Sequence, residues 1–379
     1  MIQIFPVSLV IEEMKRILSF WLELDDGIKG VRLDAISHLI EDERMLDEPE
    51  SHDPEAEDEL DWKYLEHVYT NNQNLTRDIV AELTEHVKTN FGPDTVVILE
   101  TDLGVPEVMD YYSSGDIPFN FNLARHLNSD ISAEKLVTEI DLWLDNMPLG
   151  SVANWVTGSH DISRVATRVG AELTDHLNML LLMLPGVSVT YQGEELGMTD
   201  THITWEDTLD PAGLACGPDR YEECSRDPQR TPFQWNTEAN AGFSEADHTW
   251  LPVNDNYHWL NAAAQEESQD HDSHYWVYVD TMIVRKRCSR ENTKYLTVGN
   301  TFVALNENWV LLLSFTDYEE TVNLTDIILE NGFTLGLAVV SARSIDGKEE
   351  NKFGSQHFLS EDLIIGPFEA ILLTELPSR

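Results

Sequence analysis

Val96-Val97-Ile98-Leu99-Glu100 is the stretch that decides the fold class. Four aliphatic residues run without a polar interruption and stop at a carboxylate. A strand that is short and does not alternate reads as buried on both faces, the pattern of a parallel sheet. The flanking segments agree. Residues 77–89 predict an amphipathic helix with Ile79, Val80, Leu83 and Val87 inward, and Gly30-Val31-Arg32-Leu33-Asp34-Ala35 reads as a strand opened by glycine. Residues 9–22 predict a helix with Met14, Ile17, Leu18, Trp21 and Leu22 on one face. Downstream, residues 116–121 and 152–156 are strand candidates. Residues 171–184 predict a very apolar helix ending at Pro185-Gly186, and residues 187–191 the next strand. Strand and helix alternate from residue 9 to about 200, which means βα units on a parallel sheet.

The rest of the chain changes character. Residues 41–61 are dominated by Asp and Glu with Pro49 and Pro54, which suits an exposed loop. Residues 200–260 are irregular and rich in Asp, Pro and Trp. Short β-like segments follow at 295–305, 309–314, 335–340, 363–365 and 369–373, the pattern of a small antiparallel β domain. The predicted division is 1–290 for the α/β part and 291–379 for a β-sandwich domain.

Composition narrows the function. The 24 Lys plus Arg against 69 Asp plus Glu leave a formal net charge of −45, which repels nucleic acid and anionic membranes. Such a surface keeps a protein soluble, suits neutral substrates such as sugars, and leaves room for a cationic partner. No apolar stretch is long enough to span a bilayer. Cys216 and Cys224 bracket a short loop and can form a disulfide in an oxidising compartment, and no Cys/His cluster suggests zinc. The sequons Asn74-Leu75-Thr76 and Asn323-Leu324-Thr325 are acceptors only in a secreted chain. The first ten residues lack the basic start and cleavage site of a signal peptide.

In parallel α/β folds the reacting groups lie at the carboxyl ends of the strands. There the chain offers Arg32, Asp34 and His38, then Glu100 and Asp102, then His160 and Asp161. Arg32 and Asp34 are two apart on a strand and share a face. A guanidinium beside Asp34 favours its ionised form, which suits a nucleophile. Glu100 follows four apolar residues, and burial raises a carboxyl pKa, which suits a general acid. One charged and one protonated carboxyl are the apparatus of a glycosidase. Each piece also has a plain reading: Arg-x-Asp as a structural ion pair, a strand-end Glu as the neighbour of a helix cap, His-Asp as a loop hydrogen bond.

Spacing and context favour the chemical reading. The segment from Gly30 to His38 resembles the one that carries the nucleophile in the alpha-amylase family. Val97-Ile98-Leu99-Glu100 resembles the general-acid segment, and Asn154-Trp155-Val156-Thr157-Gly158-Ser159-His160-Asp161 the segment of the third carboxylate, all in the family's order. The stretch from Leu184 to Met198 is similar to the last barrel strand of alpha-glucosidases. The run Ser225-Arg226-Asp227-Pro228-Gln229-Arg230-Thr231-Pro232-Phe233-Gln234-Trp235, continued by Thr249-Trp250-Leu251-Pro252-Val253-Asn254, is similar to maltases. The chain is thus identified as a member of the alpha-amylase family (glycoside hydrolase family 13), of the insect maltase-like alpha-glucosidase type. The resemblance covers roughly residues 9–260 well and the C-terminal part weakly.

That resemblance implies an α/β fold, a (β/α)8 TIM barrel followed by a small C-terminal antiparallel β domain. It also implies a retaining alpha-glucosidase acting on small oligosaccharides such as maltose or sucrose. Asp34 would be the nucleophile, Glu100 the acid and then the base, and Asp161 the stabiliser of the distorted sugar. Arg32, His160 and Arg226 would bind substrate. No cofactor is required, no metal ligand is assigned, and a structural calcium ion is not assignable to these residues. The location implied is extracellular or membrane-associated. Ser159 stands where the family usually has Asn, Ile162 where a polar residue is usual, Thr101 where a small one is common, and the connection 24–29 is longer than usual. Only the last five barrel strands can be placed, so an N-terminally truncated barrel is expected, with apolar edges left open. The alternatives are a relative that has lost catalysis, of the kind that escorts amino-acid transporters, and an inactive fragment. Such relatives usually lose the acid or the nucleophile, and here Asp34, Glu100 and Asp161 all remain.

Overall fold

Val96–Leu99 forms a strand (β2) with a parallel partner on each side. On one side β1 (Gly30–Leu33) pairs in the register Gly30↔Val96 through Leu33↔Leu99, and on the other β3 (Ile117–Pro118) pairs through Ile98↔Ile117. Gly30 is required where β1 starts, because a Cβ there would stand 2.6 Å from the Val96 carbonyl oxygen. The computed structural model describes residues 7–24, 27–54, 56, 58, 59, 61–268, 273–323, 337–343, 356, 357 and 362–375. The chain divides into two units, Met1–Asn120 with Leu142–Asn154, and Phe121–Asp141 with Trp155–Arg379.

In the first unit the helices Val7–Leu24 and Asn74–Phe91 cover one face of the sheet. Ile79, Val80, Leu83 and Val87 are buried there with Val97 and Leu99. Burial of β2 on both faces is not what forms: Val97 and Leu99 are fully buried, whereas Val96 and Ile98 are half-buried. Side chains alternate along a strand, and only the first pair points at the helices. The first helix needs a similar correction. Leu18 and Leu22 are buried, but Met14, Ile17 and Trp21 are exposed. At 3.6 residues per turn, Ile17 and Trp21 sit about 100° round from Leu18 and Leu22, beyond what one neighbouring helix reaches. Asn154, fully buried, ties β3 in place by donating to the Pro118 carbonyl at 2.6 Å and accepting from the Asn120 amide at 2.8 Å.

In the second unit β4 (Asn154–Val156) pairs with β5 (Val187–Val189). The helix Thr174–Met183 is buried at all ten positions, the polar Thr174, Asp175, His176 and Asn178 included. It is preceded by a 3-10 turn, Ala171–Leu173, so the predicted helix begins three residues late. Arg285, from the helix His274–Arg287, donates to the carbonyl of Leu182 in the last turn of Thr174–Met183 and to those of Leu184 and Gly186 just beyond it. Residues 200–260 hold only short helical turns, including Pro211–Cys216 and Tyr221–Cys224, which the Cys216–Cys224 disulfide joins. The longest helices that went unread in the sequence are His274–Arg287 and Ala133–Asn146, although Leu136, Ile140 and Trp143 repeat at helical spacing in the latter.

The C-terminal part is a six-stranded sheet in the order β11-β10-β13-β8-β7-β6 with a separate pair β12-β9. Its strands are β6 (Lys294–Val298), β7 (Thr301–Asn306), β8 (Trp309–Ser314), β9 (Glu320–Asn323), β10 (Leu337–Arg343), β11 (Gln356–His357), β12 (Asp362–Ile365) and β13 (Ala370–Glu375), and the pairings are antiparallel. The predicted strand 295–305 is in fact a hairpin. It turns at Gly299-Asn300, where Gly299 takes φ +61°, as a two-residue turn demands. β7 and β8 are buried at every position. Val303, Leu305, Val310 and Leu312 face Val322, Leu363 and Ile365 of the pair β12-β9. Residues 324 and 325 of the second sequon, 335 and 336 of a predicted strand, and Asp25 and Asp26 of the 24–29 connection lie outside the described residues. Among the described residues no helix is long and apolar enough to cross a membrane.

His176, on the buried helix, has its Nε2 3.0 Å from the Ser314 carbonyl oxygen of β8, so the neutral ring donates there. Burial pushes its imidazole down to about 4. In the unfolded chain the ring takes up a proton near pH 6.5, so between about 6.5 and about 4 the unfolded state holds more protons. Stability therefore falls as pH drops through that window. Urea unfolding at several pH values is expected to show a shallower pH slope for His176→Asn than for the native chain. Equal slopes would remove His176 from the account.

Candidate active site

The register of β1 and β2 builds the first cluster. Leu33 and Leu99 are partners, so the next residues, Asp34 and Glu100, emerge side by side at the same sheet edge. The Glu100 amide donates to the Leu33 carbonyl at 2.9 Å and the Ile36 amide to the Glu100 carbonyl at 3.2 Å, so the pairing runs past the strand ends. Arg32 spans both carboxylates, with Nη1 2.7 Å from Asp34 Oδ1 and Nη2 2.9 Å from Glu100 Oε2. Its guanidinium lies over the Phe119 ring at 5.6 Å. Ala35 adopts φ 45°, a left-handed conformation rare for a residue with a Cβ. Its amide donates to Glu100 Oε2 at 3.0 Å.

Asp34 and Glu100 differ in environment. The Asp34 side chain is 70% exposed and that of Glu100 17%. Burial, first, and a hydrogen bond with Asp34, second, push the Glu100 carboxyl above the usual range, although the Ala35 amide and Arg32 pull the other way. The pair therefore holds a proton on Glu100 more readily than a free glutamate would. His38 turns to the Thr70 carbonyl oxygen at 3.3 Å and stands edge-on to the Trp62 ring.

The second cluster follows β4. Ser159 Oγ accepts the Asp161 amide at 3.1 Å, so the serine found in place of the usual Asn still closes the turn. Asp161 Oδ1 accepts from Arg226 Nη1 at 2.9 Å and Arg230 Nη2 at 2.5 Å, and Oδ2 lies 3.1 Å from His160 Nε2. The two arginines stand on either side of the 3-10 turn Asp227–Gln229. Arg226 is itself held by Asp210, which accepts from its amide at 2.7 Å, from Nε at 2.8 Å and from Nη2 at 2.8 Å. These hydrogen bonds, led by the side-chain ones, bring the Asp210 carboxyl down to about 2 and drive the Arg226 guanidinium further up. Beneath the loop, buried Glu194 accepts from Thr157 Oγ1 at 3.1 Å and from the Tyr191 amide at 2.9 Å. Burial raises its carboxyl to about 7.

Of the six residues singled out in the sequence, Arg32 joins Asp34 and Glu100 in the first unit, and His160 and Arg226 join Asp161 in the second. Arg230 and Asp210 were missed. Arg230 repeats Arg226 at four residues' distance, and Asp210 stands before Pro211 as the N-cap of a short helix, its side chain accepting from the Ala212 amide. Among the described residues no group of three or more His, Cys, Asp or Glu side chains is arranged to hold a metal ion.

Asp210 is buried and Arg226 partly open. Asp210→Asn is expected to destabilise the chain by roughly 2 kcal/mol at neutral pH, a charged hydrogen bond discounted for the solvent at the guanidinium. Because its folded pKa is lowered, the contribution of Asp210 is present above pH 3.8 and fades as pH falls toward about 2, so the variant and native stabilities should converge there. Urea unfolding at pH 7 and near pH 2.5 measures both.

The catalytic domain of alpha-amylase, as a family, matches residues 7–293. Maltase A1 of Drosophila melanogaster is 41% identical over 296 residues, covering 74% of this chain and 50% of the relative. The salivary alpha-glucosidase of Anopheles gambiae is 40% identical over 309 residues, covering 78% and 51%. The chain spans about half the length of these curated relatives. Among solved structures, the trehalulose synthase from Pseudomonas mesoacidophila MX-45 superimposes with a TM-score of 0.74 at 20% identity, covering 97% of this chain and 68% of that one. That likeness is one of fold, the α/β TIM-barrel class, here followed by an antiparallel sheet. With the family match over residues 7–293 and identities of this order, the chain belongs to the alpha-amylase family.

Proposed function

We propose that this chain carries the hydrolytic machinery of a retaining alpha-glucosidase that removes terminal α-linked glucose from maltose, sucrose or short oligosaccharides. The observation that carries the reading is the Asp34–Glu100 pair, set side by side by strand register, with the proton favoured on the buried partner. Asp34, the open carboxylate bound by Arg32, attacks the anomeric carbon and forms a glycosyl-enzyme ester. Glu100 gives its proton to the leaving oxygen, then takes one from the water that hydrolyses the ester. A retaining pair works with its carboxyls about 5–5.5 Å apart, so the bond that joins the two carboxyls here gives way to the glycosidic oxygen when sugar enters. Asp161 takes sugar hydroxyls and favours the distorted ring, Arg32 and His160 each bind substrate beside their own carboxylate, and Arg226 meets the terminal glucose. None of these roles needs a cofactor.

The finer architecture belongs to the same proposal. The α/β part corresponds to the last five βα units of a (β/α)8 barrel within residues 1–290, and residues 291–379 to the C-terminal β domain. Helix Val7–Leu24 supports it, since it leaves Leu9, Phe20, Trp21 and Leu24 exposed, an apolar face of the kind on which a further unit packs. An extracellular location is supported by the Cys216–Cys224 disulfide and by exposed Asn74 in the first sequon. Membrane anchoring is not part of the proposal.

The test is release of p-nitrophenol from its α-glucoside by the chain as given, beside Asp34→Ala and Glu100→Gln. Asp34→Ala should abolish turnover, Glu100→Gln should lower kcat about 10²- to 10⁴-fold, and proton NMR should show α-glucose as the first product. Because its raised pKa keeps Glu100 protonated, kcat should hold above the ordinary glutamate range and fall on the alkaline side, a limb absent in Glu100→Gln. Folded, soluble protein without activity would favour the non-catalytic relative instead.

A further inference from the structure

A cavity of about 440 Å³ opens in the second unit between the segments 206–209 and 247–257, a size suited to a small ligand. Its lining is mixed, with Trp250, Tyr257 and Leu209 beside the carboxylates of Glu206, Asp207 and Asp247. The Trp250 indole is 51% exposed yet fixed at two points. Its Nε1 donates to the Arg230 carbonyl oxygen at 3.0 Å, and the Phe243 ring meets it edge-on at 4.9 Å. The acidic part of the lining is also tied down. Asn240 Nδ2 donates to the carbonyls of Ser244 and Ala246 at 3.0 and 2.7 Å, just before Asp247, and Thr204 Oγ1 donates to Asp207 Oδ2 at 2.8 Å. A large indole held rigid in water leaves little ordering entropy for a ligand to lose.

We propose that this cavity is a saccharide subsite, which seats a sugar residue of an oligosaccharide other than the glucose being released. The proposal rests on the glucosidase reading and deepens it by assigning the place where a further sugar residue of an oligosaccharide is held. A pyranose offers a face of C–H bonds with slight positive charge, which suits the electron-rich face of an indole. Its hydroxyls donate to carboxylates without bringing charge of their own, so Glu206, Asp207 and Asp247 can accept from it. The cavity is wired to the Asp161 cluster through both walls. Trp250 bonds to Arg230, which bonds to Asp161, and Leu209 adjoins Asp210, which grips Arg226. An acidic aromatic cup also suits an organic cation, and it is this continuity with Asp161 that favours sugar.

The experiment is a fluorescence titration with maltotetraose on Asp34→Asn protein, which cannot turn it over, with and without Trp250→Ala. Trp259→Ala, an exposed tryptophan outside the cavity, is the control, and glucose and spermidine are parallel probes. Loss of the stacking face should raise the maltotetraose Kd about ten-fold for Trp250→Ala, change it less than about two-fold for Trp259→Ala, and leave the weaker glucose response unaltered. Asp247→Asn should weaken maltotetraose in the same direction, and stands in if Trp250→Ala fails to fold by circular dichroism. Equal Kd values in folded Trp250→Ala, no binding by the parent protein, or binding of spermidine in place of the sugar would each overturn the subsite. Saccharide binding that depends on Trp250 in a chain without p-nitrophenol release would uphold the subsite and sink the glucosidase reading alone.

Discussion

Much of the first unit depends on one pairing, the parallel register that sets Leu33 opposite Leu99. A slip by one residue would reverse every side chain of β1 relative to the helices and part Asp34 from Glu100. Arg32 benefits from the same register, since it can reach both carboxylates only when they leave adjacent strands at one level. Packing of Val97 and Leu99 under the helix Asn74–Phe91 holds that register from below, so the chemistry at the strand ends is anchored by an apolar core. The left-handed Ala35 is the local strain that this arrangement carries, and the hydrogen bond that its backbone N–H donates to Glu100 is the compensation.

The second unit solves a different problem, that of holding cationic side chains in place. Asp161 faces two arginines, and a chain of hydrogen bonds continues inward to Asp210, which has no exposed side-chain surface. The Asp227 carboxylate in turn accepts the amides of Leu209 and Asp210, so the turn that supplies Arg226 and the turn that supplies Asp210 brace each other. The fully buried helix Thr174–Met183 is bonded to β8 through His176 and to His274 through Asp175.

Much of this was legible in residue order. Gly30-Val31-Arg32-Leu33-Asp34 and Val97-Ile98-Leu99-Glu100 showed short strands ending in carboxylates, and each lies where it was read. The helix face Ile79, Val80, Leu83 and Val87 was correct because period and burial agree there. The face assigned to Val7–Leu24 was too wide, because hydrophobicity says which residues tolerate burial and not which ones meet a neighbour. The hairpin at Gly299 was lost inside one predicted strand because β7 is buried at every position, which erases the alternation that would have marked where it begins. Asp210 caps a short helix, and nothing in its sequence neighbours pointed to an arginine sixteen residues on.

Side-chain chemistry along the chain specifies the carboxylates, the strands that bear them and the acidic surface, because periodicity, turn residues and charge are local properties. The raised proton affinity of Glu100, the lowered one of Asp210 and the fixed indole of Trp250 arise only on folding. Each depends on desolvation and on partners brought within about 3 Å from distant positions, which are properties of packing and not of composition.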